Sequence, residues 1–272
     1  MCELFAMSSR MPTSVGFSLE RLARRGGAEG PHSDGWGVAY YAGRDVLLLR
    51  EPGAASESDL VRFVEQHGPP SELVMSHIRL ATHGERALHN SQPFMRELGG
   101  RMHVFAHNGE LDGIARRSGR GSHRFRPVGV TDSELAFCSL LDRVAPLWDD
   151  CDGEIPGAEA RLSLVTEFAA EIRSFGIANF LYADSEILFV HAHHRIMSGS
   201  REMLPGLYVL ERSCEEEVPD MSGSGVVLNT VQQALTLVAS VPLTDEDWQQ
   251  VAEGEVLAIR GGEILAQRPA KL

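Results

Sequence analysis

Cys2 is the first side chain whose chemistry depends on where it stands. Loss of Met1, expected before so small a residue, would leave a thiol and a free α-amine on one residue. An α-amine titrates near roughly 8, so it can take the thiol proton directly or through water, with no histidine required. Taken alone, a cysteine at position two is usually just a residue. Three further segments change its standing. In Ser76-His77-Ile78-Arg79-Leu80-Ala81-Thr82-His83-Gly84 a strand runs into a glycine-ended turn. An arginine there, followed by a threonine, can clamp a carboxylate through paired N–H donors and a hydroxyl; the same residues also fit a surface arginine beside a capped turn. In Phe105-Ala106-His107-Asn108-Gly109-Glu110-Leu111 the Asn-Gly pair signals a hairpin turn. The Asn108 amide and the Gly109 N–H can also offer two donors to an oxyanion. In Thr131-Asp132-Ser133-Glu134, Asp132 fits a helix cap and fits equally a partner for an ammonium group. Together these groups describe a site for an α-amino acid with a reactive side-chain amide, which is glutamine.

The order Met-Cys, then Arg-x-Ala-Thr-His-Gly, then His-Asn-Gly-Glu-Leu, then Thr-Asp-Ser-Glu resembles the glutaminase domain of the class II glutamine amidotransferases. Pro31 to Ala39, with Asp34-Gly35-Trp36-Gly37, is similar to the free-standing branch of that family, as are Thr244 to Trp248 and Gly254-Glu255. The resemblance covers essentially the whole chain. It implies an α+β fold of the N-terminal-nucleophile hydrolase type, a four-layer αββα sandwich of two antiparallel sheets flanked by helices, in a single domain over residues 1–272. It also implies roles. Cys2 attacks the amide, Asn108 and Gly109 stabilise the oxyanion, Arg79 and Thr82 hold the α-carboxylate with the His83 backbone close by, and Asp132 binds the α-amine. Ammonia leaves, and water resolves the thioester to glutamate. Glu3 follows the cysteine where the multidomain synthases usually carry glycine. With 272 residues there is no room for an attached synthase, so an ammonia acceptor is expected on a separate protein. Hydrolysis of another γ-glutamyl amide or peptide, and a non-catalytic regulatory protein retaining the fold, are the competing readings.

These groups need elements to carry them. Apolar runs predict strands over Trp36 to Tyr41, Val46 to Arg50, Leu73 to Ile78, Met102 to Ala106, Leu235 to Ser240, Glu255 to Ile259 and Glu263 to Ala266. Ile177 to Ala183 and Glu186 to Ala192, joined by Asp184-Ser185, read as a hairpin. Helical spacing predicts Ser18 to Arg25, Ser56 to His67, Thr131 to Val144 and Leu162 to Phe175, the third opened by a Thr-x-x-Glu capping box. Arg116 to Val130 and Asp149 to Ala158 read as surface loops. Strands cluster without regular alternation with helices, which disfavours a doubly wound parallel sheet.

Composition narrows the partners. A net charge of -13 argues against a polyanionic partner, because phosphate contacts require Lys and Arg. The basic run Arg116 to Arg124 reads as a solvated loop. No apolar run approaches the length of a membrane span, and the first residues lack the pattern of a signal peptide. Cys2, Cys138, Cys151 and Cys214 show neither metal-finger spacing nor a disulfide framework, so a cytoplasmic setting is expected. His191, His193 and His194 can suggest zinc, but no neighbouring carboxylate accompanies them in sequence, and they read as a solvent-facing strand end. His77, His83, His89, His103 and His107 are expected to crowd the pocket. No metal and no cofactor is expected; the partners expected are glutamine or a γ-glutamyl compound, with no nucleic acid and no membrane.

Overall fold

The computed structural model describes residues 2–15, 32–81, 84–115, 124–151, 153–196, 203–214 and 233–269. Its strands are numbered in chain order. One sheet contains β1 (Glu3–Thr13), β2 (Trp36–Ala42), β3 (Asp45–Glu51), β4 (Ser71–Ile78), β11 (Tyr208–Cys214), β12 (Gln233–Ala239) and β13 (Gln249–Gln250). The second contains β5 (Phe94–Leu98), β6 (Arg101–Leu111), β7 (Gly176–Ala183), β8 (Leu188–His191), β14 (Glu255–Arg260) and β15 (Glu263–Pro269). A short pair, β9 (His194–Ile196) and β10 (Met203–Pro205), stands beside them. The first sheet runs β13-β11-β12-β1-β4-β2-β3 and the second β15-β14-β8-β7-β6-β5, with every pairing antiparallel.

The two sheets face each other through Leu4, Ala6, Met75, Val104, Leu181 and Leu257. On the outside of the second sheet lie α2 (Asp132–Asp149) and α3 (Ala158–Arg173), packed through Phe137, Leu141 and Phe168 onto Phe105 and Phe180. On the outside of the first sheet α1 (Asp59–His67) presents Val61 and Val64 to Trp36, Tyr40 and Leu237. Three apolar interlayers between four layers are the expected αββα sandwich. Alternation explains the allocation: along β1, Leu4 and Ala6 face the other sheet, while Phe5 and Met7 face outward into the outer core. Because both faces are covered, the first half of β1 (Leu4 to Met7) is apolar without a visible period, and Ser8 and Ser9 then break the run, so no strand is predicted there.

Element ends differ from the expectations for local reasons. The segment expected as one helix from Ser56 is a 3-10 turn, Ala55–Glu57, followed by α1. Ser58 between them is extended, and its Oγ accepts from the Val61 N–H at 3.0 Å, which starts the α-helix at Asp59. Thr131 does cap α2, accepting from the Glu134 N–H at 3.2 Å. The reciprocal half of the box is replaced: Glu134 accepts from the Gly129 N–H and from Arg96 instead. The helix then continues past Val144 through Pro146 to Asp149, so the loop expected from Asp149 begins one residue later. The expected helix Ser18 to Arg25 and most of the basic run Arg116 to Arg124 lie outside the described residues. Among the described residues no helix is long and apolar enough to cross a membrane.

Candidate active site

Cys2 precedes β1, the strand paired on one side with β4 through Glu3 opposite Ile78. That register brings the thiol beside the residues following β4: the Leu80 N–H donates to Sγ at 3.3 Å. Burial pushes the thiol above its ordinary value, while the Leu80 N–H and the Arg79 guanidinium pull it down. Glu3 turns away from the cavity into a buried pair with Arg195 (3.1 Å), whose Nη1 donates to the Ser240 carbonyl at 2.5 Å. Ser240 in turn bonds both backbone polar groups of Leu4. The start of β1 is thereby fixed along its β12 edge, opposite the edge paired with β4.

Across the cavity stands β6. The Asn-Gly pair does not turn here: β6 runs straight through it, with Asn108 opposite Asn179 and Gly109 opposite Ala178. The hairpin reading fails because the chain passes so close to β7 that a Cβ on Gly109 would stand 1.8 Å from the Ile177 carbonyl oxygen. Glycine marks a close approach rather than a turn. Asn108 Nδ2 donates to the Cys2 carbonyl at 2.5 Å, and its Oδ1 is buried without a hydrogen-bond partner. The backbone around it is held from three sides. Gln92 makes a two-way amide clamp with the backbone of His107, at 2.7 and 3.2 Å. Asn179 Nδ2 donates to the Asn108 carbonyl at 3.1 Å. Against the raising effect of Asp132, burial lowers the pKa of His107. Its Nε2–H donates to the Ile177 carbonyl and its Nδ1 accepts from Ser133 Oγ at 2.9 Å, which ties β6 to α2.

Asp132 opens α2 half-buried. Its carboxylate accepts from the Leu111 N–H and the Ser133 N–H, both at 2.8 Å, so it caps the helix and docks it onto the end of β6. A carboxylate has about four acceptor sites, so it keeps capacity toward the cavity. Arg79 is only 3% exposed, which removes the reading of a surface arginine. Its guanidinium donates to the carbonyls of Asp34, Gly84 and Glu85 at 3.0 to 3.2 Å, knitting two loops together. Asp34, in the Asp-Gly-Trp-Gly segment, accepts from the Ala81 N–H at 2.9 Å and from Arg86, bracing the same stretch.

A cavity of about 280 Å³ is lined by Cys2, Arg79, Asn108, Gly109 and Asp132 together. Thr82 and His83 lie outside the described residues. Of the other histidines expected to crowd it, His107 reaches the lining. His77 is sealed between the sheets, where burial lowers it to about 3; His103 packs against Tyr182 and Trp148, lowered by burial to about 4; His89 is half-buried beside Glu85. Strand alternation separates His77, which shares the inter-sheet face of β4 with Met75, from His103 and His107 on the outer face of β6. Of those two, His107 stands at the cavity end of the strand and His103 further back along the same face, against Trp148. The expected solvent-facing end at His191, His193 and His194 is also corrected. His191 is fully buried and bonded to the Glu255 carbonyl, and His193 and His194 are largely covered. Gln92, Asn179 and Ile196 carry no site expectation from the sequence, and Ser133 stands in the Thr131-Asp132-Ser133-Glu134 motif without an assigned role. Asn179 carried a usable signal, a lone amide inside an otherwise apolar strand, which requires internal partners.

Residues 1–271 match the family model of class II glutamine amidotransferases. A candidate glutamine amidotransferase of Escherichia coli (strain K12), YafJ, is 35% identical over 256 residues, covering 94% of this chain and 96% of that protein. Another from Haemophilus influenzae is 30% identical over 272 residues, covering 98% and 87%. The crystal structure of a predicted glutamine amidotransferase from Pseudomonas aeruginosa PA01 has a TM-score of 0.69 at 33% identity, covering 97% of this chain and all of that one. Glutamine phosphoribosylpyrophosphate amidotransferase from Bacillus subtilis has a TM-score of 0.58 at 15% identity, with this chain matching 50% of its length, a likeness of fold alone. The chain belongs to the class II glutamine amidotransferases.

Proposed function

We propose that the chain hydrolyses the side-chain amide of glutamine through a thioester on Cys2. Removal of Met1 frees the Cys2 α-amine. The amine takes the thiol proton as Sγ attacks the amide carbon, and the oxygen, now anionic, accepts from Asn108 Nδ2 and the Gly109 N–H. Collapse breaks the C–N bond, and the proton held by the amine goes to the departing nitrogen as ammonia forms. Water then adds to the thioester, giving glutamate and restoring the thiol. Arg79 and Thr82, with the His83 backbone, hold the α-carboxylate, and Asp132 binds the α-ammonium. Residues 1–272 act as one glutaminase domain in the cytoplasm, and the ammonia passes to an acceptor on a separate protein.

One observation carries this reading: Cys2 and Asn108 meet across the two sheets in one cavity, joined by the 2.5 Å bond to the Cys2 carbonyl. The test is glutamate release from glutamine by the processed chain and by Cys2→Ala. Release by the first and none by the second is expected; equal release from both overturns the nucleophile assignment. A parallel panel of γ-glutamyl amides and peptides reads the substrate. Preference for a conjugate over glutamine replaces glutamine with that conjugate, and inactivity on every substrate, with Met1 removed, leaves the regulatory reading.

A further inference from the structure

We propose that His193, His194 and Glu253 form a binding site for a divalent transition-metal ion of the zinc type. The sequence lacks a carboxylate near the two histidines; the fold supplies one. Glu253 lies in the turn before β14, and the Gly254 N–H donates to the Ala192 carbonyl at 2.8 Å, which brings that turn against the histidines. His193 Nε2 is 3.4 Å and His194 Nδ1 is 3.7 Å from Glu253 Oε1, and the ligand atoms all lie within 4.8 Å of one another. Ligands about 2.1 Å from a tetrahedral zinc stand roughly 3.4 Å apart, so the two carboxylate distances are already near bound values.

A plain hydrogen-bonded cluster accounts for these groups less well. His194 Nδ1 is buried and makes no hydrogen bond, since 3.7 Å is too long for one. A cation among the three groups gives that nitrogen its partner. On His193, Nδ1 lies 3.4 Å from the Ala178 N–H, with the Gly176 carbonyl beside the ring. A metal at Nε2 places the ring proton on Nδ1, so the Gly176 carbonyl replaces the Ala178 N–H as its partner, the outer-shell contact that orients metal-bound imidazoles. Glu253 is 57% exposed, which gives the ion a way in and leaves room for water as a fourth ligand. Imidazole with carboxylate suits zinc better than calcium or magnesium. Arg173, against Gly254, adds positive charge nearby and makes the site weaker than a closed structural zinc centre.

The site is one side chain away from the cavity. Asn179 Oδ1 accepts from the His193 N–H at 2.7 Å, and its Nδ2 donates to the carbonyls of both His194 and Asn108. Ile196, on the same segment, lines the cavity. Metal bound here stiffens the His193–His194 segment, which Asn179 ties to the Asn108 carbonyl.

Calorimetric titration of the full chain with Zn²⁺ tests the site, in the wild type and in Cys2→Ala, which removes the competing thiol. One ion per chain is expected in both. Glu253→Gln and the double variant His193→Ala/His194→Ala are each expected to weaken binding about tenfold or more, because losing a direct ligand costs at least as much as losing an outer-shell partner. Glu253 is on the rim, so its variant keeps the test decisive even where the double variant does not fold. Tetrahedral Co²⁺ absorption lost in Glu253→Gln gives a second readout. No Zn²⁺ binding, or binding unchanged in both variants, overturns the proposal. None of these readouts depends on glutamine hydrolysis.

Discussion

Replacing Asn108 with alanine sets two energies of similar size against each other. Loss of Nδ2 leaves the Cys2 carbonyl without its 2.5 Å donor, at a cost of about 1–3 kcal/mol. The same substitution removes Oδ1, a buried acceptor with no partner, and recovers a penalty of about that size. Stability should therefore change by roughly 1 kcal/mol, a melting shift of about 2–4 °C for a chain of this size. The rate has no such compensation. Removing one oxyanion donor lowers kcat by about 10²–10³, or roughly 2.7–4 kcal/mol. The assay is steady-state glutamate release with thermal unfolding of the same samples. The account predicts a kcat loss of at least about a hundredfold at nearly unchanged KM and melting temperature. A kcat within threefold of wild type refutes the oxyanion role. A collapse of the fold that accounts for the lost activity refutes the energy balance.

Two other outcomes follow from buried ionisable groups. His77 and His191 are both lowered by burial to about 3, against about 6.5 in the unfolded chain. Between these values the unfolded chain binds the extra protons, so the stability is present above about 6.5 and is lost as pH falls toward 3. Urea unfolding at pH 7, 6 and 5 should show stability falling below pH 6 by about 1.4 kcal/mol per unit for each histidine; a flat profile contradicts their neutral burial. Glu3→Gln leaves Arg195 buried without its carboxylate, a loss of about 3–5 kcal/mol by the usual cost of breaking a buried pair. An unchanged urea midpoint in that variant would show that the pair does not anchor β1.

How much of this was legible depends on the range of the interactions involved. β2, β3, β4 and the β7–β8 hairpin are visible because turn residues bound their apolar runs. The start of α2 is visible because Thr131 caps it locally. β1 is not, since Ser8 and Ser9 interrupt its apolar character and only pairing with β12 and β4 makes it central. Asn108-Gly109 carries a turn signal whose meaning is reversed by Ile177, about seventy residues away. Cys2, Arg79, Asn108, Gly109 and Asp132 were singled out by residue type, and the fold brings them to one cavity. The shell that holds them in place was not legible, because Gln92, Asn179 and Arg195 act through backbone groups that only tertiary packing brings near. Glu253 reaches His193 and His194 for the same reason.

The central claim is that Cys2, with a free amine, attacks the glutamine side chain. The most direct measurement is the mass of the intact chain and of its N-terminal peptide after exposure to an electrophilic glutamine analogue. The account predicts a chain lacking Met1, one adduct on the peptide that begins with Cys2, protection by glutamine, and no adduct in Cys2→Ala. An adduct on Cys138 or Cys151 instead, or glutamate release by a chain that retains Met1, would contradict it.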